Sequence, residues 1–548
     1  MKRQKPILYM VLGAAVLLLL YVGLFVFVER VPWAMAAGKE TASQVKSNVE
    51  ESKEEVPVIR IFDKNMDQEV FDDRVAMKIM KKTGVKIEVM NATSKSGAVL
   101  EMMLNRGTYP DIVLMEQGEM VNRYIEEGAF LPLDDLIRQQ GENITEMYGD
   151  VLERSRYQDG KLYWLANWYG KDTNASAAVM IRKDYLIDLV GRERAESKDP
   201  FTLSEYTALL QAFKEKYGKN GANYAIPLDL NSDTGNYAMT LMGIFGMKTY
   251  EKDQQGNLHY LPATERYREA LLYLNQLYSE DLLCKEWVID KNAKWQRDLS
   301  RGRVFSTWAS YWDLSTVNRV LKNTRGEDSQ FFSYKVVADD LEETETTYNG
   351  RNSLGWDAIG ITRNCSDPEA AMRVLNYLSS EEGQYLMLWG LEGESWDRVK
   401  DTHTPRQSFL EKWSVNSYYM QRTMGVRRWT WCVKNGVGSD GTPYDLTTLY
   451  SPPDTLAFAN ERILESDYWD TAEYSGLEPA EKTELSLKWK EIEDLFDKNM
   501  GEIICASDGD RAKQLYDRMV SDMKLIGLEE CEAYISEKYR ERCAAWGL

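Results

Sequence analysis

Histidine is almost missing from this chain: His259 and His403 are the only two in 548 residues. A zinc site built on several histidines is therefore excluded, and a Ser-His-Asp machine has two candidates at most. Cysteine is sparse and scattered. Cys284, Cys365, Cys432, Cys505, Cys531 and Cys543 include no C-x-x-C pair, which speaks against metal and redox motifs. One helix carrying both Cys531 and Cys543 would hold them too far apart to bridge, so free, buried thiols are expected. No cysteine stands near residue 30, which excludes a lipid-modified N-terminal cysteine. Positive charge is short as well: 67 Lys and Arg face 87 Asp and Glu, a net −20, against nucleic-acid binding and against broad adhesion to anionic lipid. The G-x-S-x-G, H-E-x-x-H and G-x-x-x-x-G-K-S patterns are absent. Paired carboxylates could build a glycosidase, but nothing singles out a pair. No catalytic residue, metal or cofactor is assigned.

Aromatic residues are plentiful, with 16 Trp and 32 Tyr. Flat aromatic faces suit sugars and other extended polar ligands, although many of these rings must be core. The length allows two or three domain-sized units. Lys2, Arg3 and Lys5 precede an uncharged run, Ile7 to Val28, long enough to span a bilayer. Ala34-Met35-Ala36 follows, an A-x-A pattern open to cleavage. Residues 1–37 thus read as a membrane anchor or as a cleaved signal. Either reading puts the rest of the chain outside the cytoplasm, at the outer face of the membrane. Residues 38–56 read as a flexible tether.

From Pro57 the pattern is β-α-β-α-β: VIRIF (58–62), an amphipathic helix ended by Gly84, KIEVM (86–90), a helix ended by Gly107, and IVLM (112–115). This order predicts a largely parallel sheet, which binds ligands beyond its strand C-termini. Those ends carry Asp63–Asn65, Asn91, Glu116 and Gln117. A second α/β region starts at AAVMIRKDYL, with a capping box at Thr202 and Glu205, then the strand YAIPL and the aromatic run RVFSTWASYWD (303–313). The segment 367–393 reads as two helices, the first capped by Asp367, the second by a box of Ser379 and Glu382, with a glycine exit. Helical patterns fill 479–499, 508–526 and 529–543.

Several short pieces run in order along the chain: Thr83-Gly84-Val85-Lys86-Ile87, Gly107-Thr108-Tyr109-Pro110-Asp111-Ile112, Asp159-Gly160-Lys161-Leu162-Tyr163, Ile181-Arg182-Lys183-Asp184-Tyr185-Leu186, Asp367-Pro368-Glu369-Ala370-Ala371 with Ser380-Glu381-Glu382-Gly383, and Gly390-Leu391-Glu392-Gly393. In this order the chain resembles the extracellular solute-binding proteins of ABC transporters, in their carbohydrate-type group with a long C-terminal extension. That family's usual lipobox cysteine is missing here.

The resemblance implies an α/β, two-lobe periplasmic-binding-protein-like fold (type II), preceded here by an N-terminal hydrophobic helix. It places 57–170 and 333–400 in lobe 1, and 171–332 with 401–548 in lobe 2, with crossovers near 165–175, 333 and 400. It implies a monomer that captures a carbohydrate ligand by hinge closure and delivers it to ABC permease subunits, with no nucleic acid and with membrane attachment through the N-terminal segment. A membrane-anchored sensory binder and a carbohydrate-active enzyme are the alternatives.

Candidate ligand contacts are Glu116 and Gln117 at a strand end, Trp164, Asn167 and Trp168 at the expected crossover, Asp229 and Asn231 in a loop, Trp308, Tyr311 and Trp312 in the second lobe, and Trp356 and Trp396. Each has a plain alternative as core or solvated loop. Asp229-x-Asn231-x-Asp233 resembles the start of a calcium loop, but Thr234 and Thr240 occupy the positions that need Gly and Glu, so a turn or ligand loop is expected.

Overall fold

A computed structural model of the chain describes residues 56–66, 70–90, 96–171, 177–218, 225–233, 235–288, 292–446, 467–479 and 482–548. The expected hydrophobic helix and nearly all of the tether lie outside these. Among the described residues no helix is long and apolar enough to cross a membrane.

The β-α-β-α-β reading holds at its start. Val58–Asp63 pairs in parallel with Lys86–Met90 and with Ile112–Glu116. Asp73 opens the intervening helix Arg74–Thr83 by accepting the Ala76 amide, and Gly84 closes it at φ 68°, a conformation glycine adopts without strain. Two further strands complete this first sheet. Asp357–Ile361 runs antiparallel to Ile112–Glu116 and to Leu165–Asn167, so one strand of five is reversed.

The second sheet repeats the device. Its order is Phe331–Tyr334, Ala177–Arg182, Val304–Ser310, Ile226–Asp229, and Ala177–Arg182 runs against its neighbours. In each sheet the reversed strand is the one reached from the other lobe. A chain entering at the edge where the other strands end must run away from that edge.

Each sheet has its own core. Ile59, Ile61, Leu114, Leu165, Ile359 and Trp389 belong to the first; Val179, Ile181, Phe213, Leu228, Phe305 and Trp308 belong to the second. The two-helix segment at 367–389 is first-lobe scaffold, with Ala371, Met372, Leu375 and Leu378 buried. Its second cap differs from expectation. Ser380, not Ser379, accepts the Gly383 amide, because Ser380 is extended (ψ 157°) while Ser379 still has helical angles and bonds back to the Leu375 carbonyl.

Two lobe boundaries also move. Residues 331–348 stay with the second lobe: Phe331–Tyr334 pairs with Ala177–Arg182, and Tyr348 is buried in that core, so the return crossing comes at 352–356 rather than near 333. Residues 401–446 pack on the first lobe, not the second. Trp429, Trp431, Val433 and Tyr444 join the first core, and the Trp431 indole donates to Asp63 Oδ2 at 2.7 Å. The helices Glu484–Ile504, Gly509–Ile526 and Leu528–Trp546 cover the second core. All six cysteines are free thiols; Cys284, Cys365, Cys432 and Cys531 are buried.

Candidate functional site

Strand register builds the site. Asp357 stands opposite Glu116 on one side and Asn167 on the other, so three polar side chains share one edge of the first sheet. In the second sheet Ser310 stands opposite Ala177, and Thr307 opposite Asp229, so Tyr311, Trp312 and the loop after Asp229 leave from one edge. Residues 168–176 join Asn167 to Ala177, and 352–356 join Arg351 to Asp357. At roughly 3.4 Å per residue the five-residue return connector spans at most about 17–20 Å, which keeps Arg351 near the first-sheet edge.

On the first-lobe edge Lys64 bridges the acids: its Nζ lies 2.7 Å from Asp357 and 3.6 Å from Glu116. Burial raises the Asp357 carboxyl above the usual range, against Lys64 and Asn167, which pull it down. Glu116 is exposed. Trp168 stacks on Trp356, with centroids 5.4 Å apart and planes 13° apart, and Trp356 is 50% exposed. The Arg427 guanidinium lies 5.5 Å from the Trp168 ring and pairs with Asp445.

Trp168 adopts φ 61°, unusual for a bulky residue, where the chain turns out of the sheet. Gly355 faces it at φ 71°, and a Cβ there would stand 2.1 Å from the Asn167 carbonyl oxygen. Gly355→Ala is therefore expected to cost about 1–3 kcal/mol through strain and displacement of both crossovers. A thermal melt reads this as a lowered Tm; an unchanged Tm would contradict the tight approach.

On the second-lobe edge Trp312 is 40% exposed, with the Arg351 guanidinium 5.5 Å from its ring. Asp313 accepts from Asn236 at 2.5 Å and caps the turn that carries Trp312.

Other candidates have different positions. Trp308 is core: it is 1% exposed and its indole donates to the Tyr206 hydroxyl at 3.2 Å. Tyr311 is buried edge-on against Trp312. Asn167 is a structural joint, donating to the Thr430 carbonyl and accepting the Val433 amide. Gln117 holds the backbone at Leu354, Trp356 and Asp357. Trp164 is half-buried against the first-lobe clusters. Trp396 donates to the Gly390 carbonyl and lines a separate cavity of about 750 Å³ with Tyr385 and His403, which contains none of the edge residues above.

Asp229 and Asn231 are buried, and Asn231 accepts the Asp233 amide in a local turn. Thr234 and Asn91 lie outside the described residues. Among the described residues no cluster of three or more His, Cys, Asp or Glu could hold a metal ion. Arg351 and Arg427 were not among the sequence candidates. One is on a crossover strand and the other in a loop, where no periodicity marks them.

Two sheets, each with its own core and joined by crossing segments, make a two-lobed α/β protein. The model of the bacterial extracellular solute-binding protein family matches residues 75–391, more than half of the chain, and the chain belongs to that family. It is a binding protein and not an enzyme. Over 481 residues it is 22% identical to the polygalacturonan/rhamnogalacturonan-binding protein YtcQ of Bacillus subtilis, covering 86% of this chain and 88% of that one. It is 25% identical over 240 residues to lipoprotein LipO of the same organism, covering 42% and 46%. Among solved structures, the alginate-binding protein AlgQ2 has a TM-score of 0.63 at 18% identity, over 89% of this chain and 98% of that one. An HMO-binding, ABC-transporter-associated solute-binding protein from Bifidobacterium longum infantis has a TM-score of 0.67 at 16% identity, over 88% and 98%. These likenesses carry the two-lobed α/β fold.

Proposed function

We propose that this protein captures an oligosaccharide outside the cytoplasm by closing its two lobes and delivers it to an ABC importer. The reading is supported by an exposed tryptophan beside a strand end of each sheet, Trp356 backed by Trp168 and Trp312 beside Arg351. Such rings stack on sugar faces, while Glu116 and its neighbours take hydroxyl hydrogen bonds. A ligand that touches both edges favours closure, because only differential contact shifts the equilibrium. Relatives named for binding polygalacturonan, rhamnogalacturonan and alginate support a saccharide.

A thermal-shift screen of residues 38–548 against glycans, peptides and polyols tests it. A native-state ligand raises the melting temperature by mass action. A saturable shift with an unaltered glycan is expected; a shift with peptides or polyols alone would overturn the saccharide assignment.

The uncharged run Ile7 to Val28 favours a second reading, a membrane-anchored binder that reports ligand to an envelope partner. Intact mass of the exported protein separates anchor from signal, and co-purification with permease subunits favours transport.

A further inference from the structure

The C-terminal helix Leu528–Trp546 belongs to the second lobe along most of its length. Leu528, Cys531, Ile535 and Tyr539 are buried in that core, and Tyr539 stacks on Tyr474 with the planes 6° apart. Its last residue does something else. Trp546 packs against the first core, and its ring lies 5.0 Å from the guanidinium of Arg154, on the first-lobe helix Val151–Arg154. Arg542, one turn earlier, covers the same ring at 5.2 Å. One helix thus touches both lobes.

The contacts around it tie down the crossovers. Arg154 donates to Asp470 Oδ2 at 3.1 Å. Asp470 ends the strand Tyr468–Asp470, which pairs with Asn349–Arg351, and its carboxylate also takes the amide and hydroxyl of Ser353 at 3.0 and 2.5 Å. Ser353 sits in the return crossing. Arg542 donates to the carbonyls of Ala472, Glu473 and Ser475 at 3.2, 3.1 and 2.7 Å, in the segment that leads back into the second lobe. One node therefore joins a first-lobe helix, two crossing segments and the C-terminal helix.

We propose that Trp546, Arg154 and Asp470 form a latch across the hinge, through which the C-terminal helix sets the angle between the lobes. Lobe closure turns the lobes about the crossovers, so side chains bridging them must move with one lobe or break. Two guanidiniums over one indole and a carboxylate with three charged or hydrogen-bonded partners resist that break. The latch thereby fixes how much of the population is competent for ligand, and apparent affinity scales with that fraction. This rests on the closing mechanism proposed above, but its first readout needs no ligand.

Azide-bearing residues introduced at Lys81 in the first lobe and Glu215 in the second, both exposed, carry spin labels whose separation is read by electron-electron double resonance in the full chain. Arg154→Met and Trp546→Leu are each expected to add a second population of interlobe distances. Arg540→Met is the control, since Arg540 bonds Asn257 within the second lobe, and should leave the distribution unchanged. If Trp546→Leu fails to fold, Arg154→Met decides. A folded Arg154→Met variant whose distribution superimposes on that of the unsubstituted chain would overturn the latch. Failure of every glycan to bind would sink the saccharide reading and leave this distance measurement standing.

Discussion

Trp356→Ala and Trp312→Ala should each weaken oligosaccharide binding by about 1–3 kcal/mol, roughly five- to 150-fold, by analogy with base stacking on aromatic rings. Neither should change the melting temperature much. Both rings keep large exposed faces, 50% and 40%, so truncation opens no sealed cavity. Trp308→Ala should behave in the opposite way. That ring is fully enclosed and hydrogen-bonded to Tyr206, so its loss should cost about 3–5 kcal/mol of stability, and any loss of binding should follow unfolding. Isothermal titration beside a thermal melt separates the outcomes. Wild-type affinity in folded Trp356→Ala and Trp312→Ala variants would remove both rings from the site.

The second large effect is on stability. Asp73→Ala should destabilise the first lobe by about 3–5 kcal/mol, because it leaves the Arg428 charge buried without its carboxylate. Asp73 holds three groups at once: the Ala76 amide at 2.8 Å, Arg428 Nη1 at 2.9 Å and the Trp429 indole at 2.6 Å. The arginine and aspartate side chains are 8% and 1% exposed, so water cannot replace the pair. Loss of the helix cap adds about 1 kcal/mol. Burial raises the Asp73 carboxyl above the usual range even so, with the Ala76 amide, Trp429 and Arg428 all favouring its charged form. A domain's whole stability is about 5–15 kcal/mol, so the urea midpoint should fall steeply. An unchanged midpoint would show that residues 401–446 are not anchored through this contact.

Asp73 also illustrates where sequence reading stops. The helix it caps was legible, because an apolar stripe and a closing Gly84 are local signals, whereas the capping role of Asp73 was not read. So was the box at Thr202 and Glu205, which the structure reproduces bond for bond. The partners Arg428 and Trp429 are more than 350 residues away, and no local pattern links them to the first lobe. The 401–446 segment was misplaced for the same reason.

The candidate site was legible in the sequence only where strand ends and crossovers marked it. The strand end at Glu116 followed from β-α-β logic, Trp168 and Trp312 from their places at a crossover and after a strand, while Trp356 lies in a stretch, 353–362, that reads as strand but precedes the strand Asp357–Ile361. Trp308, grouped with Tyr311 and Trp312 as following a second-lobe strand, lies inside that strand. In fact the strand stops at Ser310 and a short 3-10 turn carries Trp312 out of the core. Trp396, a candidate contact in the sequence, bonds back to the Gly390 carbonyl and lines a separate cavity with Tyr385 and His403. Arg351 and Arg427 gave no signal, since isolated arginines outside a periodic element look like solvated charge until packing sets them against an indole.

Small-angle scattering of residues 38–548, titrated with an unaltered oligosaccharide identified by thermal shift, tests the central claim most directly. Capture by lobe closure predicts a saturable fall in radius of gyration at the concentration where calorimetry saturates, and no such fall in Trp312→Ala at the same dose. Saturable binding with the radius unchanged throughout would contradict closure on the ligand.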